Sequence, residues 1–274
     1  MARGKAIAII PARMESTRFP GKPLASETGK PMVVHVCEQA AKAQAVSRVV
    51  VATDSQEIAE AVVAHGFEAV MTSEDHPNGT SRLAEAAETL KLRKSQDIVN
   101  VQGDEPEIEP ETIDGALRAL EAQLNASWEV GTAPHLGRET YAAVGTVASP
   151  LARGDDPSNP NIVKVVIGTI EPQHAVAPAL YFTRADVPHF RDHSVAVPRL
   201  KHVGIYAYLY HDLRGYVGLP PTPLEQCEQL EQLRWLEHGL PIAVAVRQAW
   251  HQGIDTPEQY AAFVERYRTR GEKT

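Results

Sequence analysis

Cysteine is scarce in this 274-residue chain: Cys37 and Cys227 stand 190 positions apart and form no CxxC pattern. That excludes a disulfide scaffold and a cysteine-based metal centre, and gives the expectation of reduced thiols in a cytoplasmic protein. Long apolar runs are missing too. No stretch approaches the ~18–20 residues of a membrane span, and no signal-like apolar segment follows the first residues, so no membrane partner is expected. Positive charge is in the minority, with 27 Lys and Arg against 35 Asp and Glu and a net charge of −8. A general nucleic-acid binder would draw most of its affinity from phosphate contacts, and this balance argues against one. Repeats and low-complexity tracts are also absent. What is present is globular: 43% apolar and 23% charged residues, enough to bury a sizeable core in one large domain or two small ones.

Strand-like and helix-like segments alternate through the first half. Residues 5–10, 48–53, 67–72 and 97–101 read as strands. Residues 32–46, 55–65 and 81–92 read as helices, and Pro110 opens another that runs to about Asn125. Val33, Val34, Val36 and Cys37 form an inner helix face. This βαβα rhythm predicts an α/β fold with a mostly parallel central sheet covered by helices. Ligands then sit beyond the carboxyl ends of the strands, where Arg13, Asp54 and Asp104 fall. The second half reads as a small mixed lobe, with strands at 163–167, 179–183, 200–210 and 242–247. Helices are expected there at about 211–219, 224–238 and 257–270. The Gly/Asp/Pro-rich stretch 151–161 divides a single domain into a nucleotide-binding half (about 1–150) and a second half (about 151–274).

The first strand runs into Pro11-Ala12-Arg13 and a loop through Arg18 to Gly21-Lys22-Pro23. Three cations within ten residues of an acidic protein suit an anionic ligand such as a nucleoside triphosphate, although a solvated loop reads the same way. Asn100-Val101-Gln102-Gly103-Asp104 follows another strand. Asp104 is placed either to ligate Mg²⁺ or to stabilise its own turn. Asp255, before Pro257, is a helix cap or a second ligand. Asp104 and Asp255 lie 151 positions apart, so only folding could unite them. Glu107, Glu109 and Glu111 read as surface charges at a helix start. In His76-Pro77-Asn78-Gly79-Thr80-Ser81-Arg82, Gly79 would let a base approach the backbone and Arg82 could donate to its carbonyl. An Asn-Gly helix cap looks identical. His35 and His65 read as structural, and no spacing suggests a covalent nucleophile.

The blocks 11–24, Val51–Asp54, Asn100–Pro106, Ala179–Ala185, His202–Tyr208, Pro223–Arg234 and Gly253–Pro257, in this order, resemble the 3-deoxy-manno-octulosonate cytidylyltransferase (CMP-Kdo synthetase) family across nearly the whole chain. The resemblance implies a Rossmann-like nucleotide-diphospho-sugar transferase fold, a cytoplasmic homodimer and Mg²⁺ dependence. The implied reaction is CTP + Kdo → CMP-Kdo + pyrophosphate, which feeds lipopolysaccharide assembly. By the same resemblance, Arg13 and Lys22 bind the triphosphate, with Pro11, Ala12 and Arg18 in the same loop, and Gly79 and Arg82 outline the base pocket. Asp104 and Asp255 hold the metal and, with Arg13 and Lys22, carry the catalysis. Gln102, Arg184, His202, Tyr206 and Glu225 match the sugar-acid pocket. Glu228 and Gln232 follow Glu225 on one expected helix at spacings of 3 and 7, so one face would present all three.

The chain departs from the family at two places. Ser81 stands where the family has an acid, and Gly168–Pro178 replaces a short acidic turn. The alternatives carried with this reading are a cytidylyltransferase for a modified sugar acid such as 8-amino-Kdo, and a non-catalytic nucleotide-binding homologue.

Overall fold

The structure is a computed structural model that describes residues 4–16, 18–125, 143–170, 175–192, 194, 197–250 and 253–271. It divides into two compact units, Met1–Asp114 with Trp250–Thr274, and Gly115–Ala249. The boundary read from composition was 151–161. Among the described residues, no helix is long and apolar enough to cross a membrane.

The first unit is the alternating α/β layer that the sequence rhythm indicates. Strands β1 (Ala6–Ala12), β2 (Val46–Thr53), β3 (Glu68–Met71) and β4 (Asp97–Asn100) lie in the order β3-β2-β1-β4, and every pairing is parallel. Ala8, Ile9, Ile10, Val50, Val51, Ala52, Ile98 and Val99 are all buried. Such continuous apolar runs are what strands covered on both faces require. The connections are helical: α1 (Met32–Lys42), α2 (Gln56–Ala64) and α3 (Gly79–Thr89). Helix α1 ends four residues before the expected position, and β2 begins at Val46 instead of Arg48.

The chain enters the second unit along α4 (Pro110–Asn125). There the strands are mixed, as the second half of the sequence reads. Strands β5 (Val144–Pro150), β6 (Lys164–Ile167), β7 (Val176–Thr183), β8 (Leu200–Leu209) and β9 (Ile242–Val246) run in the order β8-β5-β9-β7-β6. Lys164 of β6 also pairs with Lys201 of β8, which closes these strands into a ring. Only β5–β9 is parallel; β5–β8, β6–β7 and β7–β9 are antiparallel. The physical reason lies in the connections. Only eight residues separate the end of β6 from the start of β7, and a short connection can join only antiparallel neighbours. The Gly168 N–H donates to Pro178 O at 2.8 Å, closing the segment singled out in the sequence; residues 171–174 lie outside the described residues.

Strand β5 escaped the sequence reading. Val-Gly-Thr-Val-Ala-Ser-Pro is made of small residues and alternates weakly, because nearly all of it is buried. Its glycine is obligatory: a Cβ on Gly145 would lie 2.2 Å from Ala116 O and 2.4 Å from Leu120 N of α4.

The expected 224–238 helix is a second correction. Three helices follow β8 before β9: α5 (Tyr210–Val217), α6 (Pro223–Glu228) and α7 (Gln232–Glu237). Between the last two, Gln229 takes a left-handed conformation (φ 53°), and the Leu230 N–H donates to Glu225 O at 3.2 Å. This is the bond pattern of a helix C-terminus, completed by burial of Leu230. Glu225 and Glu228 therefore sit on one short helix and Gln232 opens another, so they do not share a helix face. The last helix, α8 (Pro257–Gly271), returns to the first unit.

Candidate active site

Three strand ends in the first unit supply the site. Strand β1 continues through Pro11 and Ala12 before the chain turns out at Arg13. The loop doubles back where the Gly21 N–H donates to Met14 O at 3.1 Å, and Gly21 takes a positive φ of 70°. Lys22 then opens a 3-10 turn ahead of buried Pro23. Beside β1, the Gln102-Gly103-Asp104 turn leaves β4 so closely that a Cβ on Gly103 would lie 2.6 Å from Pro11 O. The glycine of that motif is thus a demand of contact between two strand ends. Loop 76–79 closes the third side, with the Gly79 Cβ position 3.2 Å from Pro11 Cγ.

These segments line a pocket of about 890 Å³, which fits a nucleotide-sized ligand. Its walls hold Pro11, Ala12, Arg13, Arg18, Lys22, Gly79, Arg82, Gln102, Asp104 and Asp255, every candidate that the sequence assigned to phosphate, base and metal, and Gln102 besides.

The two distant aspartates meet here. Lys22 Nζ donates to Asp104 Oδ2 at 2.8 Å, to Asp255 Oδ1 at 3.4 Å and to Ile254 O at 2.9 Å. Arg18 Nη2 lies 3.0 Å from Asp255 Oδ2. The convergence has a packing cause. Ile254 is buried with Met32 of α1 and with Tyr260, Phe263 and Val264 of α8, and Phe19 and Ala25 of the cationic loop pack on the same cluster. The Ile254 N–H also donates to Asp104 O at 2.8 Å. Hydrophobic burial therefore delivers Asp255 to the mouth of the β4 turn. Burial pushes the Asp104 carboxyl above the ordinary aspartate value, opposed by the Lys22 charge. Two carboxylates facing one point are hard-oxygen donors suited to a divalent cation. Among the described residues, no cluster of three or more His, Cys, Asp or Glu forms a metal site. A site of two carboxylates fits Mg²⁺, which keeps waters and takes further oxygens from phosphates.

Arg82 is buried. Its Nη2 pairs with Asp54 Oδ2 at 2.5 Å and its Nη1 donates to Thr72 Oγ1 at 2.6 Å. It thereby ties the start of α3 to the ends of β2 and β3. Asn78 caps α3, its Oδ1 accepting from the Ser81 N–H at 2.9 Å. Sequence reasoning assigned no role to His76, a lining residue whose ring nitrogens meet Ser81 Oγ and Glu85 Oε2. The available signal was the i, i+4 spacing of Ser81 and Glu85 on α3.

In the second unit, the remaining candidates form local networks. Arg184 Nε, Nη1 and Nη2 donate to the carbonyls of Glu228, Pro160 and Gln229 at 2.7, 2.8 and 3.3 Å. The Glu228 carboxylate accepts from Thr183 Oγ1 at 2.6 Å and from the Arg184 N–H at 2.9 Å. Glu225 is paired at both oxygens with Arg234, at 2.7 and 2.5 Å, and reaches back to the Thr222 N–H at 3.3 Å. His202 meets Thr146 Oγ1 at 2.9 Å and packs beside Tyr206, at 5.3 Å between ring centroids. Burial holds the Tyr206 phenol well above its usual value. Gln232 is buried. Lys164, fully buried, donates to the carbonyls of Asn159, Ile162 and Arg184 at 3.0, 2.6 and 2.6 Å, which fixes the turn that Arg184 also grips.

Residues 7–242 match the Cytidylyltransferase family model. A 3-deoxy-manno-octulosonate cytidylyltransferase from Neisseria meningitidis serogroup C is 46% identical over 92% of this chain and 94% of its own. One from Syntrophobacter fumaroxidans is 43% identical over 94% of this chain and 95% of its own. The solved structure of a CMP:2-keto-3-deoxy-manno-octonic acid synthetase complexed with CTP superposes with a TM-score of 0.82 at 35% identity, covering 97% of this chain and all of that one. A UTP-bound UGPase from Acinetobacter baumannii, at 13% identity, shares the fold with a TM-score of 0.61 over 96% of this chain and 93% of its own.

Proposed function

The chain belongs to the 3-deoxy-manno-octulosonate cytidylyltransferase family, and we propose on that footing that it joins CTP and Kdo to give CMP-Kdo and pyrophosphate, for lipopolysaccharide assembly. The observation that carries this reading is the meeting of Asp104 and Asp255 at Lys22 Nζ in a pocket that Arg13 and Arg18 also line.

Arg13, Arg18 and Lys22 bind the triphosphate by charge-assisted hydrogen bonds. As phosphate oxygens arrive, Lys22 and Arg18 exchange carboxylate partners for phosphate and leave Asp104 and Asp255 free to hold Mg²⁺. A cation held by Asp104 and Asp255 would supply charge stabilisation to the phosphates and could favour ionisation of the attacking hydroxyl. The anomeric 2-hydroxyl of Kdo attacks the α-phosphorus in line. Arg13 and Lys22 stabilise the charge that grows on the non-bridging oxygens and on departing pyrophosphate. Gly79 and Arg82 fix the wall for the base, Arg82 acting from its buried pair with Asp54. Gln102, Arg184, His202, Tyr206, Glu225, Glu228 and Gln232 are the acceptor-binding candidates. Arg184 can take the sugar carboxylate only by releasing backbone carbonyls that it now holds.

The same reading includes a cytoplasmic homodimer, which sedimentation of the purified protein tests. Pyrophosphate release with CTP, Mg²⁺ and a panel of sugar acids tests the activity. Kdo giving the highest kcat/KM supports it; preference for 8-amino-Kdo transfers the assignment to that acceptor, and CTP binding without turnover on any acid leaves a nucleotide-binding homologue.

A further inference from the structure

An aspartate just ahead of a helix can cap it or serve a site, and at Asp255 the capping falls to its neighbours. Thr256 precedes Pro257, the first residue of α8, and its Oγ1 accepts from the Gln259 N–H at 3.4 Å. Gln259 reaches back in return. Its Oε1 accepts from the Thr256 N–H at 3.1 Å and from the Asp255 N–H at 2.7 Å. This is a capping box with glutamine at its far corner, extended by one bond to the residue before the cap. A backbone N–H only donates, so the oxygen of the Gln259 amide, and not its nitrogen, faces both groups.

The Asp255 carboxylate turns away from the helix. Its Oδ1 lies 3.4 Å from Lys22 Nζ and its Oδ2 lies 3.0 Å from Arg18 Nη2, on the wall of the pocket. The backbone that carries it is held from both sides. Upstream, buried Ile254 donates its N–H to Asp104 O at 2.8 Å. Downstream, Gln259 holds the N–H of Asp255 itself. The arm that does so springs from a packed helix: Tyr260, Phe263 and Val264 of α8 are buried with Met32 and Ile254, and the Tyr260 hydroxyl accepts from the Glu27 N–H at 3.1 Å. A functional side chain gains precision when its support stands on a rigid element.

We infer that Gln259 is a positioning residue for cytidylyl transfer: by binding the Asp255 N–H and completing the cap, it keeps the Asp255 carboxylate aimed at Lys22 and Asp104. This rests on the cytidylyl-transfer reading of the pocket. Without that oxygen, the amides at the start of α8 lose their acceptor, and aspartate is among the side chains that supply one most readily. The Asp255 carboxylate then turns toward the helix and leaves the pocket.

The test compares three variants of the full chain. Gln259→Met removes the acceptor at similar length, Gln259→Glu retains one, and Thr256→Ala breaks the other half of the box while leaving Gln259 its bond to Asp255. In Gln259→Met, kcat for pyrophosphate release with CTP, Mg²⁺ and Kdo is expected to fall about tenfold, while the other two stay near wild type. Adding Gln259→Met to Asp255→Asn should slow that protein no further, because glutamine acts through the aspartate. Calorimetric CTP titrations without acceptor give a readout apart from turnover. The factor by which Mg²⁺ tightens binding relative to EDTA buffer should shrink in Gln259→Met and keep its wild-type value in Thr256→Ala. Should Gln259→Met melt below the assay temperature, Gln259→Ala carries the same comparison. Wild-type kcat in Gln259→Met overturns the inference, as does an equal loss in Thr256→Ala, which marks a contribution to the helix cap alone. Further slowing of the Asp255→Asn protein also overturns it. Wild-type protein that releases no pyrophosphate with any sugar acid removes the functional reading itself, a failure distinct from unaffected variants of an active wild type.

Discussion

Adding one methyl group at Gly103 tests whether contact between two strand ends sets the catalytic geometry. Gly103 lies outside the left-handed region, so alanine brings no backbone strain there, only its Cβ. That carbon would stand 2.6 Å from Pro11 O, a backbone atom at the end of β1 that cannot swing aside. An unstrained C···O contact is about 3.3 Å, so the Gln102–Asp104 turn must retreat by roughly 0.7 Å. Asp104 is the next residue, and its 2.8 Å contact with Lys22 cannot survive that movement unchanged. Misplacement on the 1 Å scale at reacting groups costs up to ~10² in rate, and overpacking of this kind costs about 1–3 kcal/mol of stability. Gly103→Ala is therefore expected to lower kcat for pyrophosphate release ~10–100-fold with a modest fall in melting temperature. Gly204→Ala, where the added carbon meets nothing within 4 Å, serves as the neutral control. Wild-type kcat for Gly103→Ala would refute the reasoning, because it would mean that the turn has room the structure denies it.

Lys22→Ala and Asp104→Ala should each lower kcat ~10²–10³-fold while circular dichroism shows an intact fold; near-normal turnover by either removes its assigned role. Asp54→Ala strips the counter-ion from the Arg82 guanidinium, whose side chain is only 4% exposed, and should cost about 3–5 kcal/mol in urea unfolding. Adding Arg82→Met to that variant should recover part of the loss, and no recovery would mean that the charge is not the cause. Burial of His35, with the Lys30 and Lys42 charges, lowers its pKa to about 4 against the pull of Glu38 and Glu107. The folded value lies below the unfolded one of about 6.5, so this stabilisation is complete above pH 6.5 and declines as pH falls toward 4. Its share between pH 7.5 and 5 is about 2 kcal/mol. Urea titrations at the two pH values should show the His35→Gln protein losing that much less than wild type, and an equal loss in both would exclude His35 as the source.

The parts of this protein that were legible in the sequence are those whose cause is local. Ile7–Ile10 and Arg48–Thr53 read as buried strands because continuous β-branched and apolar runs suit a sheet covered on both sides, and the four parallel strands follow from them. The cationic turn was visible because Arg13, Arg18 and Lys22 crowd one loop. Strand β5 was not visible, since its glycine answers to the backbone of α4. The interruption at Gln229 was equally hidden: no glycine or proline marks it, and the left-handed turn is held by a bond from Leu230 to Glu225. His76 went unassigned because its partners lie five and nine positions on, and only the fold of the loop over α3 aims them at one ring.

By itself, the sequence determined the alternating α/β layer, the cationic loop, the acid after β4 and the acid before α8. Each depends on residues a few positions apart, and local periodicity and turn chemistry suffice for them. Whether Asp104 and Asp255 share a site depended on burial of Ile254 beneath α1 and α8 and on one backbone bond across 150 positions. The closure of the second unit's strands depended likewise on which strands pair, including the bridge from Lys164 to Lys201. Such pairings are fixed by apolar packing and by hydrogen bonds between distant segments, and no window along the chain contains both partners.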